Sequence, residues 1–177
     1  MLEAASAGGL EGARVLEIGG GIGALQSELL VAGAASGEIV EVVPAYRPYA
    51  EELARERGQQ DRVAFRVVDV LEQPDAVEPA DVVLMNRVVC CSPDGVALVA
   101  AAARLARRTL VLSFPRDVAW VRLAVRALNA GFWALRRSFR TFVHPPAALR
   151  AAAEAEGLRI AAHGTQGPWE FVALRRA

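Results

Sequence analysis

The chain has 177 residues, of which 54% are hydrophobic, so it is long enough for one domain with a core and too apolar for a disordered chain. Its twenty basic residues, all arginine, balance twenty acidic ones, but residues 1–94 hold 16 acidic residues and 7 arginines, whereas residues 95–177 hold 4 and 13. No apolar run approaches the roughly 18 residues of a membrane-spanning helix and no signal sequence opens the chain, so we expect a cytoplasmic protein.

The first two thirds of the chain alternate short apolar runs with helical patterns. The predicted strands are residues 13–18, 38–43, 63–70, 80–86 and 109–114. The predicted helices are residues 22–32, 44 to 56 or 57, and 95–106. Strands that alternate with helices at this spacing form βαβ units, so we expect a parallel sheet that is covered on both faces.

The last third of the chain has a different pattern. Residues 117–137 form a long helical stretch with a potential break at Gly131, and residues 145–157 form a helix with proline at its start and glycine at its end. Two strands, 158–164 and 169–176, flank a short TQGP turn, which favours an antiparallel pair. We find no domain boundary, so residues 1–177 are expected to form a single domain.

A glycine-rich loop, EIGGGIGA at residues 17–24, joins the first strand to the first helix. Four glycines exceed the need of a tight turn and indicate a backbone that approaches a ligand. Read as G-x-G-x-x-A, the loop suits a dinucleotide pyrophosphate. Read as E-x-G-x-G-x-G, it places the Glu17 carboxylate before the loop, where it would repel a pyrophosphate and attract the cationic amino-acid end of S-adenosylmethionine. The charge therefore favours a cationic cofactor.

Two further carboxylates end the next two predicted strands. Glu41 is placed to accept both hydroxyls of a ribose, although NAD sites use an acidic residue there too, and Asp69 is placed to accept from an adenine amino group. Alone, each has an ordinary explanation, a surface carboxylate for Glu41 and a turn-forming aspartate for Asp69. Three acids at the ends of three consecutive strands indicate one ligand-binding crevice.

On these residues the chain resembles the class I S-adenosylmethionine-dependent methyltransferases. Its segments VLEIGGGIG, EVVPAYRPYAEELARE, RVVDVLE and ADVVLMNRVVCCSPD resemble the motifs of that family's first four strands. The resemblance implies an α/β, Rossmann-like, doubly wound seven-stranded sheet, mostly parallel with an antiparallel C-terminal strand, and S-adenosyl-L-methionine as the cofactor. The implied cofactor-binding residues are Glu17, Gly19, Gly20, Gly21, Gly23, Glu41, Val42, Tyr46, Asp69, Val70 and Asn86. Only about a dozen residues precede Arg14, so we expect a shortened chain or an open cofactor site.

The resemblance implies a substrate-side helical insertion at residues 117–142. NRVVCC, the basic and aromatic segment that follows, and FVHPP loosely resemble bacterial methyltransferases of the magnesium-protoporphyrin O-methyltransferase type. The candidate substrate residues are Arg87, Arg116, Trp120, Arg137 and Arg140. One hypothesis is a lid that stacks a flat apolar acceptor and pairs its acidic groups with arginine. An amphipathic packing helix with an arginine-rich solvent side and a peripheral membrane contact remain as alternatives.

The predicted function is transfer of a methyl group to a small-molecule acceptor, on oxygen. The alternatives are a non-catalytic S-adenosylmethionine-binding or scaffold protein on the same fold and an NAD-binding oxidoreductase, which Glu17 disfavours. His144 is a weak candidate for a catalytic base, since a histidine before a helix is more often structural. Cys90 and Cys91 match no metal-site spacing and are expected to be small packing residues, and we expect no metal and no nucleic-acid partner. The acceptor and the oligomeric state are not determined by the sequence.

Overall fold

The structure is a computed structural model that describes residues 1–176. Its strands are β1 (Arg14–Ile18), β2 (Ser36–Glu41), β3 (Val63–Val67), β4 (Ala80–Asn86), β5 (Ala106–Pro115), β6 (Leu158–Gln166) and β7 (Trp169–Arg176). Its α-helices are α1 (Leu2–Ser6), α2 (Ala24–Val31), α3 (Arg47–Glu56), α4 (Gly95–Leu105), α5 (Ala119–Ala134) and α6 (Pro146–Ala155). Short 3₁₀ turns lie at Pro44–Tyr46, Pro74–Ala76 and Val89–Cys91.

The seven strands form one sheet in the order β3-β2-β1-β4-β5-β7-β6. All pairs among the first five strands are parallel, whereas β7 runs antiparallel to both β5 and β6. This confirms the expected seven-stranded Rossmann-like sheet with an antiparallel last strand. Because the strand order reverses at β1, the carboxyl ends of β1 and β4 flank the crevice in which such sheets bind ligands.

The core lies on both faces of the central strands. In β4, the four consecutive residues Val82–Met85 are fully buried, as expected for a parallel strand that is covered on both sides. Small residues of α4, such as Ala102 and Ala103, let that helix pack closely on one face together with α6. On the other face, α2 packs with Ala5 of the N-terminal segment.

Some predicted boundaries differ from the structure for local reasons. Strand β3 ends at Val67 rather than at residue 70, because the Asp69 carboxylate accepts the N–H of Leu71 at 2.9 Å and turns the chain out of the sheet. Helix α5 continues through Gly131, so the predicted break there is wrong. The helix ends after Ala134, and Arg136 follows in the left-handed region at a φ of 53°.

Helix α5 is the least buried long helix of the described chain. Of its sixteen residues only Val121 is buried, and Trp133 keeps 74% of its surface exposed. The alternative of an amphipathic packing helix therefore applies only to the short side at Val121, because most of the helix surface is exposed. Within residues 1–176, no helix combines the length and the hydropathy needed to cross a membrane.

Candidate functional site

A cavity of about 220 Å³ opens at the carboxyl ends of the first strands of the sheet. Strands β1 and β2 and the segments after β3 and β4 supply its walls, as expected for the ligand crevice of a parallel sheet. The lining residues are Ile18, Gly19, Val40, Glu41, Val42, Val68, Asp69, Val70, Leu71, Val88, Cys91, Ser92, Pro93 and Leu98. Most are apolar, and the two carboxylates, Glu41 and Asp69, are two of the three predicted at the strand ends; the third, Glu17, does not line the cavity.

The glycine loop is held against this cavity by close approaches that only glycine permits. Gly19 has a φ of 65°, and a Cβ there would lie 2.2 Å from Cγ2 of Val88. Gly21 has a φ of 56°, faces open space and donates its N–H to Oε2 of Glu41 at 3.0 Å. The loop therefore needs left-handed backbone at both positions and a bare Cα at Gly19.

Glu17 lies beneath this loop rather than at the mouth of the cavity. Its side chain is 2% exposed and packs under Gly20, where a Cβ would lie 2.8 Å from Cγ of Glu17. Its Oε2 accepts the N–H of Gln26 in the first turn of α2 at 3.1 Å. Burial is the main reason that the Glu17 pKa is raised from 4.5 to about 7; the charge of Glu41 raises it further, and the Gln26 hydrogen bond opposes the rise.

Of the two carboxylates that line the cavity, Glu41 accepts the larger number of hydrogen bonds. It is 7% exposed, and its carboxylate accepts backbone N–H groups of Gly21 at 3.0 Å, Val42 at 2.8 Å and Val43 at 3.1 Å. These bonds tie the glycine loop to the turn after β2. The carboxylate therefore stands in a fixed orientation at the cavity wall, with lone pairs that can also accept from hydroxyl groups.

The structure brings together five of the eleven predicted cofactor residues as cavity lining: Gly19, Glu41, Val42, Asp69 and Val70. Four others, Glu17, Gly20, Gly21 and Gly23, lie in or under the loop. Tyr46 lies in the 3₁₀ turn after β2, is 43% exposed and is not part of the lining. Asn86 lines a different cavity.

This second cavity, of about 150 Å³, lies where β4 and β5 end and β7 begins. Arg87 has a φ of 57°, donates its N–H to Oγ of Ser113 at 2.9 Å, and holds its guanidinium 4.7 Å from the ring centre of Trp169. Ser113 in turn donates to Oδ1 of Asn86 at 2.8 Å. A non-glycine residue in left-handed backbone is strained, and such residues concentrate at functional sites.

Sequence reasoning missed Trp169 and Ser113. The register of β7 on β5 pairs Pro115 with Trp169, which carries the first residue of β7 to the carboxyl end of β5. The signal available in the sequence was the short turn before Trp169, since it fixes where the final strand starts.

The two cysteines have different environments. Cys90 is buried, as expected for a packing residue, whereas Cys91 is exposed and lines the first cavity, so that expectation is wrong for Cys91. A hydrogen bond from Cys91 is the main reason that the Cys90 pKa falls to about 7, and the same bond raises the pKa of Cys91. Among residues 1–176, no three His, Cys, Asp or Glu side chains are grouped as a metal site requires.

The remaining predicted substrate residues lie outside both cavities. Arg116 donates to the carbonyl oxygen of Gly167 at 3.2 Å, and Arg140 donates to the carbonyl oxygens of Arg137 and Phe139. Trp120 is 54% exposed on α5. These contacts do not by themselves define an acceptor site.

His144 lies behind the wall of the first cavity. Its Nε2 is 3.0 Å from the carbonyl oxygen of Ser92, and its ring fills the space beside Gly95, where a Cβ would lie 2.6 Å from the ring. This arrangement ties the segment before α6 to the start of α4, as a structural histidine would.

Comparison with protein families and solved structures gives a consistent result. A family model described as a methyltransferase domain matches residues 16–112. No curated protein sequence matches the chain. Magnesium protoporphyrin IX methyltransferase from Synechocystis PCC 6803, crystallised with bound SAH, superposes with a TM-score of 0.77 at 23% identity, over 97% of this chain and 77% of that one.

Two further solved structures are similar. An O-methyltransferase family protein from Burkholderia thailandensis superposes with a TM-score of 0.74 at 19% identity, over 93% of this chain and 51% of that one. An O-methyltransferase family 2 protein from Planctomyces limnophilus DSM 3776, in complex with apigenin, superposes with a TM-score of 0.74 at 19% identity, over 94% and 52%. At these identities the superpositions establish a shared fold.

Proposed function

The chain belongs to the class I S-adenosylmethionine-dependent methyltransferases, and from that premise we propose that it methylates an oxygen atom of a small, apolar, acidic acceptor. The methyltransferase-domain match covers more than half of the chain and supports the reaction class. The choice of acceptor is a proposal argued from the second cavity.

The position of Glu17 carries the cofactor assignment. A helix N-terminus is where a dinucleotide pyrophosphate binds, because its free N–H groups and dipole favour an anion. Here the Glu17 carboxylate already accepts a first-turn N–H of α2, from Gln26, while 2% exposed. A second anion at this helix end would be repelled by the ionised carboxylate, whereas an ammonium group would be attracted. An NAD-type cofactor is therefore disfavoured.

In the proposed arrangement the adenosine part of the cofactor occupies the 220 Å³ cavity. Glu41 would accept the ribose hydroxyls, and Asp69, whose Oδ1 accepts the Leu71 N–H, has a second oxygen that could accept from the adenine amino group. Valine and leucine side chains of the lining would cover the faces of the base. The glycine loop would hold the methionine end, and Glu17 beneath the loop would favour its ammonium group.

Bound S-adenosylmethionine supplies a methyl group that is already activated by its sulfonium charge. The protein's part is to orient the two reactants and exclude water from them. An acceptor carboxylate needs no catalytic base near neutral pH, because its ordinary pKa is about 4. This agrees with the position of His144, whose Nε2 faces the main-chain oxygen of Ser92 rather than the cavity.

The second cavity supports an acidic, flat acceptor. Arg87 is exposed at the end of β4, next in sequence to Val88 of the cofactor cavity, and its guanidinium stacks on Trp169 at 4.7 Å. Stacking fixes the plane of the guanidinium and leaves its edge free for a carboxylate, which arginine binds in bidentate fashion. The aromatic face of Trp169 favours a planar acceptor.

The proposal is tested first by calorimetry with S-adenosylmethionine, S-adenosylhomocysteine and NAD. We expect the first two to bind and NAD not to bind; the reverse would contradict the cofactor assignment. A panel of aromatic carboxylic acids, phenols and amines with labelled cofactor then tests the acceptor. Transfer to amines alone would contradict methylation of an acidic oxygen, and cofactor binding without any transfer would favour a non-catalytic role.

A further inference from the structure

Residues 118–140, here called the α5 arm, form an exposed apolar surface that the reaction does not explain. The arm contains α5 and the segment that follows it to Arg140. Its large exposed side chains are Trp120 (54%), Leu123 (67%), Leu128 (49%), Trp133 (74%), Leu135 (72%) and Phe139 (49%). Six large exposed apolar side chains within twenty residues are uncommon on a soluble monomer and indicate an interaction site.

The outward face of α5 is apolar because of its helical spacing. Successive residues are about 100° apart, so Trp120, Leu123 and Ala127 share a face with Ala130 and Ala134, opposite the buried Val121. Arg122 and Arg126 lie along one flank of that face. The apolar stripe therefore points to solvent and the short buried side points to the protein, the reverse of an ordinary surface helix.

The charge of the arm selects the kind of partner. It contains five arginines and no acidic residue: Arg122, Arg126, Arg136, Arg137 and Arg140. The nearest acid, Asp117 at its base, pairs with Arg122 at 2.7 Å. Exposed tryptophan and leucine beside arginine are typical of helices that lie in the interface of an anionic membrane, with the apolar face among the acyl chains and arginine at the phosphates.

The arm is attached to the wall of the first cavity. Asn129 exchanges two hydrogen bonds with the main chain of Thr141, at 2.7 and 2.9 Å. One residue later, the N–H of Phe142 donates to the carbonyl oxygen of Cys90 at 2.8 Å, beside Cys91 of the cavity lining. The arm is therefore joined to the segment that supplies part of the cavity lining.

We propose that the α5 arm is a docking surface for an anionic lipid bilayer. The arm lies in the plane of the membrane interface and holds the open side of the enzyme against the lipid. A second copy of the chain fits this surface less well, because a two-fold contact would bring five arginines against five arginines. The arm is also a convex helix rather than a groove, which disfavours a peptide ligand.

Co-sedimentation of the full chain with lipid vesicles tests this proposal without cofactor or acceptor. We expect binding to vesicles of 70% phosphatidylcholine and 30% phosphatidylglycerol at about 0.1 M salt, weaker binding at higher salt, and little binding to pure phosphatidylcholine. Each arginine near an anionic surface contributes roughly fivefold to partitioning, so the double variant Arg122→Gln/Arg126→Gln should bind about 25-fold less. Leu123→Ser/Trp133→Ser should lower binding by a similar factor or more.

Matched control variants lie on other faces of the molecule. Arg107→Gln removes an exposed arginine of β5, and Val31→Ser removes a 65% exposed apolar side chain of α2. Both should bind vesicles like the parent, and circular dichroism should show that all four variants keep the fold. Equal losses in control and arm variants would overturn the proposal.

Two other results would also overturn it. One is no binding of the parent to anionic vesicles; the other is a concentration-dependent dimer that the arm variants abolish, since the surface would then be a protein interface. Because the assay contains neither cofactor nor acceptor, a failure here leaves the proposed methyl transfer standing, and a failure of methyl transfer leaves membrane docking standing.

Discussion

The two ends of the crevice differ in how firmly the chain fixes them. On the cofactor side, Glu41 accepts three backbone N–H groups, Gly19 touches Val88, and Glu17 holds the start of α2. At the other end, near the proposed acceptor cavity, α5 has one buried residue, Arg122 pairs with Asp117, and Arg140 donates to nearby carbonyl oxygens. Close packing is therefore concentrated around the cofactor cavity, whereas the region near the proposed acceptor cavity is largely exposed.

That difference follows from what each side must recognise. A cofactor shared by a whole family demands one geometry, which short motifs at strand ends encode. An acceptor differs from one member to the next, and in our proposal it meets Arg87 and the first residue of the last strand, Trp169. If the two sides are independent, a substitution on one side should leave ligand binding on the other side unchanged.

The largest expected effect is on the cofactor side, at Gly19. A Cβ at this position would lie 2.2 Å from Val88 in backbone with a φ of 65°, so Gly19→Ala should shift the loop and lower affinity for S-adenosylhomocysteine by about 100-fold or more. Gly21 also has a positive φ, but a Cβ there would meet no other atom. The only expected penalty of Gly21→Ala is therefore about 1–2 kcal/mol of backbone strain, and it should lower the affinity less than Gly19→Ala does. Equal losses in the two variants, measured by calorimetry, would show that the contact with Val88 is unimportant.

The next largest effect is expected at Arg87, where a substitution should weaken acceptor binding without changing cofactor binding. Removing an arginine that binds a charged group costs about 1.5–3 kcal/mol, so Arg87→Gln should raise the KM for an acidic acceptor by roughly 10- to 100-fold. The Kd for S-adenosylhomocysteine should stay the same, because Arg87 lines the second cavity and not the first. Arg107→Gln, which removes an exposed arginine at the opposite end of β5, is the control. A changed cofactor Kd with an unchanged acceptor KM would reverse this assignment.

A smaller effect comes from the cysteines. Cys91 is exposed in the cavity and Cys90 is buried, so a thiol reagent should label Cys91, slowly at neutral pH because its pKa is raised. At a ligand concentration of ten Kd about one molecule in eleven is free, so S-adenosylhomocysteine should slow labelling about tenfold. Mass spectrometry locates the label. Labelling that the ligand does not slow would place the nucleoside elsewhere.

The stability of the free protein tests Glu17 separately from binding. Because the Glu17 pKa is raised from 4.5 to about 7, the folded protein keeps a proton that the unfolded chain has lost between these values. The contribution of this group to stability therefore falls as the pH rises from 4.5 through 7. Glu17→Gln cannot ionise, so its Tm at pH 8 should equal or exceed that of the parent. A large drop in Tm would mean that the ionised carboxylate stabilises the fold.

The sequence was most informative where function depends on neighbouring residues. The alternation of strands and helices predicted the sheet, and the glycine loop with Glu41 and Asp69 predicted the first cavity. These signals are local, because each acid ends its own strand and parallel strands bring their carboxyl ends together. The burial of Glu17 under Gly20 was not predictable, since it depends on the path of the loop above it.

The acceptor side could not be predicted in the same way. Trp169 contacts Arg87 because of the register in which β7 pairs with β5. That register cannot be read from the residues near Trp169 in the sequence. The apolar face of α5 was visible as a pattern, but amphipathicity does not say whether the protein covers that face. In the structure the apolar face of α5 is exposed, and the membrane proposal rests on this observation.

The central claim is that the ionised Glu17 carboxylate selects a cofactor with an ammonium group. We propose to measure the Kd of S-adenosylhomocysteine by calorimetry at pH 6, 7 and 8 for the parent and for Glu17→Gln. With a pKa of about 7, the ionised fraction rises nearly tenfold from pH 6 to pH 8, so affinity should rise by up to that factor and a proton should be released on binding. Glu17→Gln should bind more weakly at pH 8 and show no such rise. A parent affinity that is flat or falls with pH, or a Gln variant that binds as tightly at pH 8, would contradict the account.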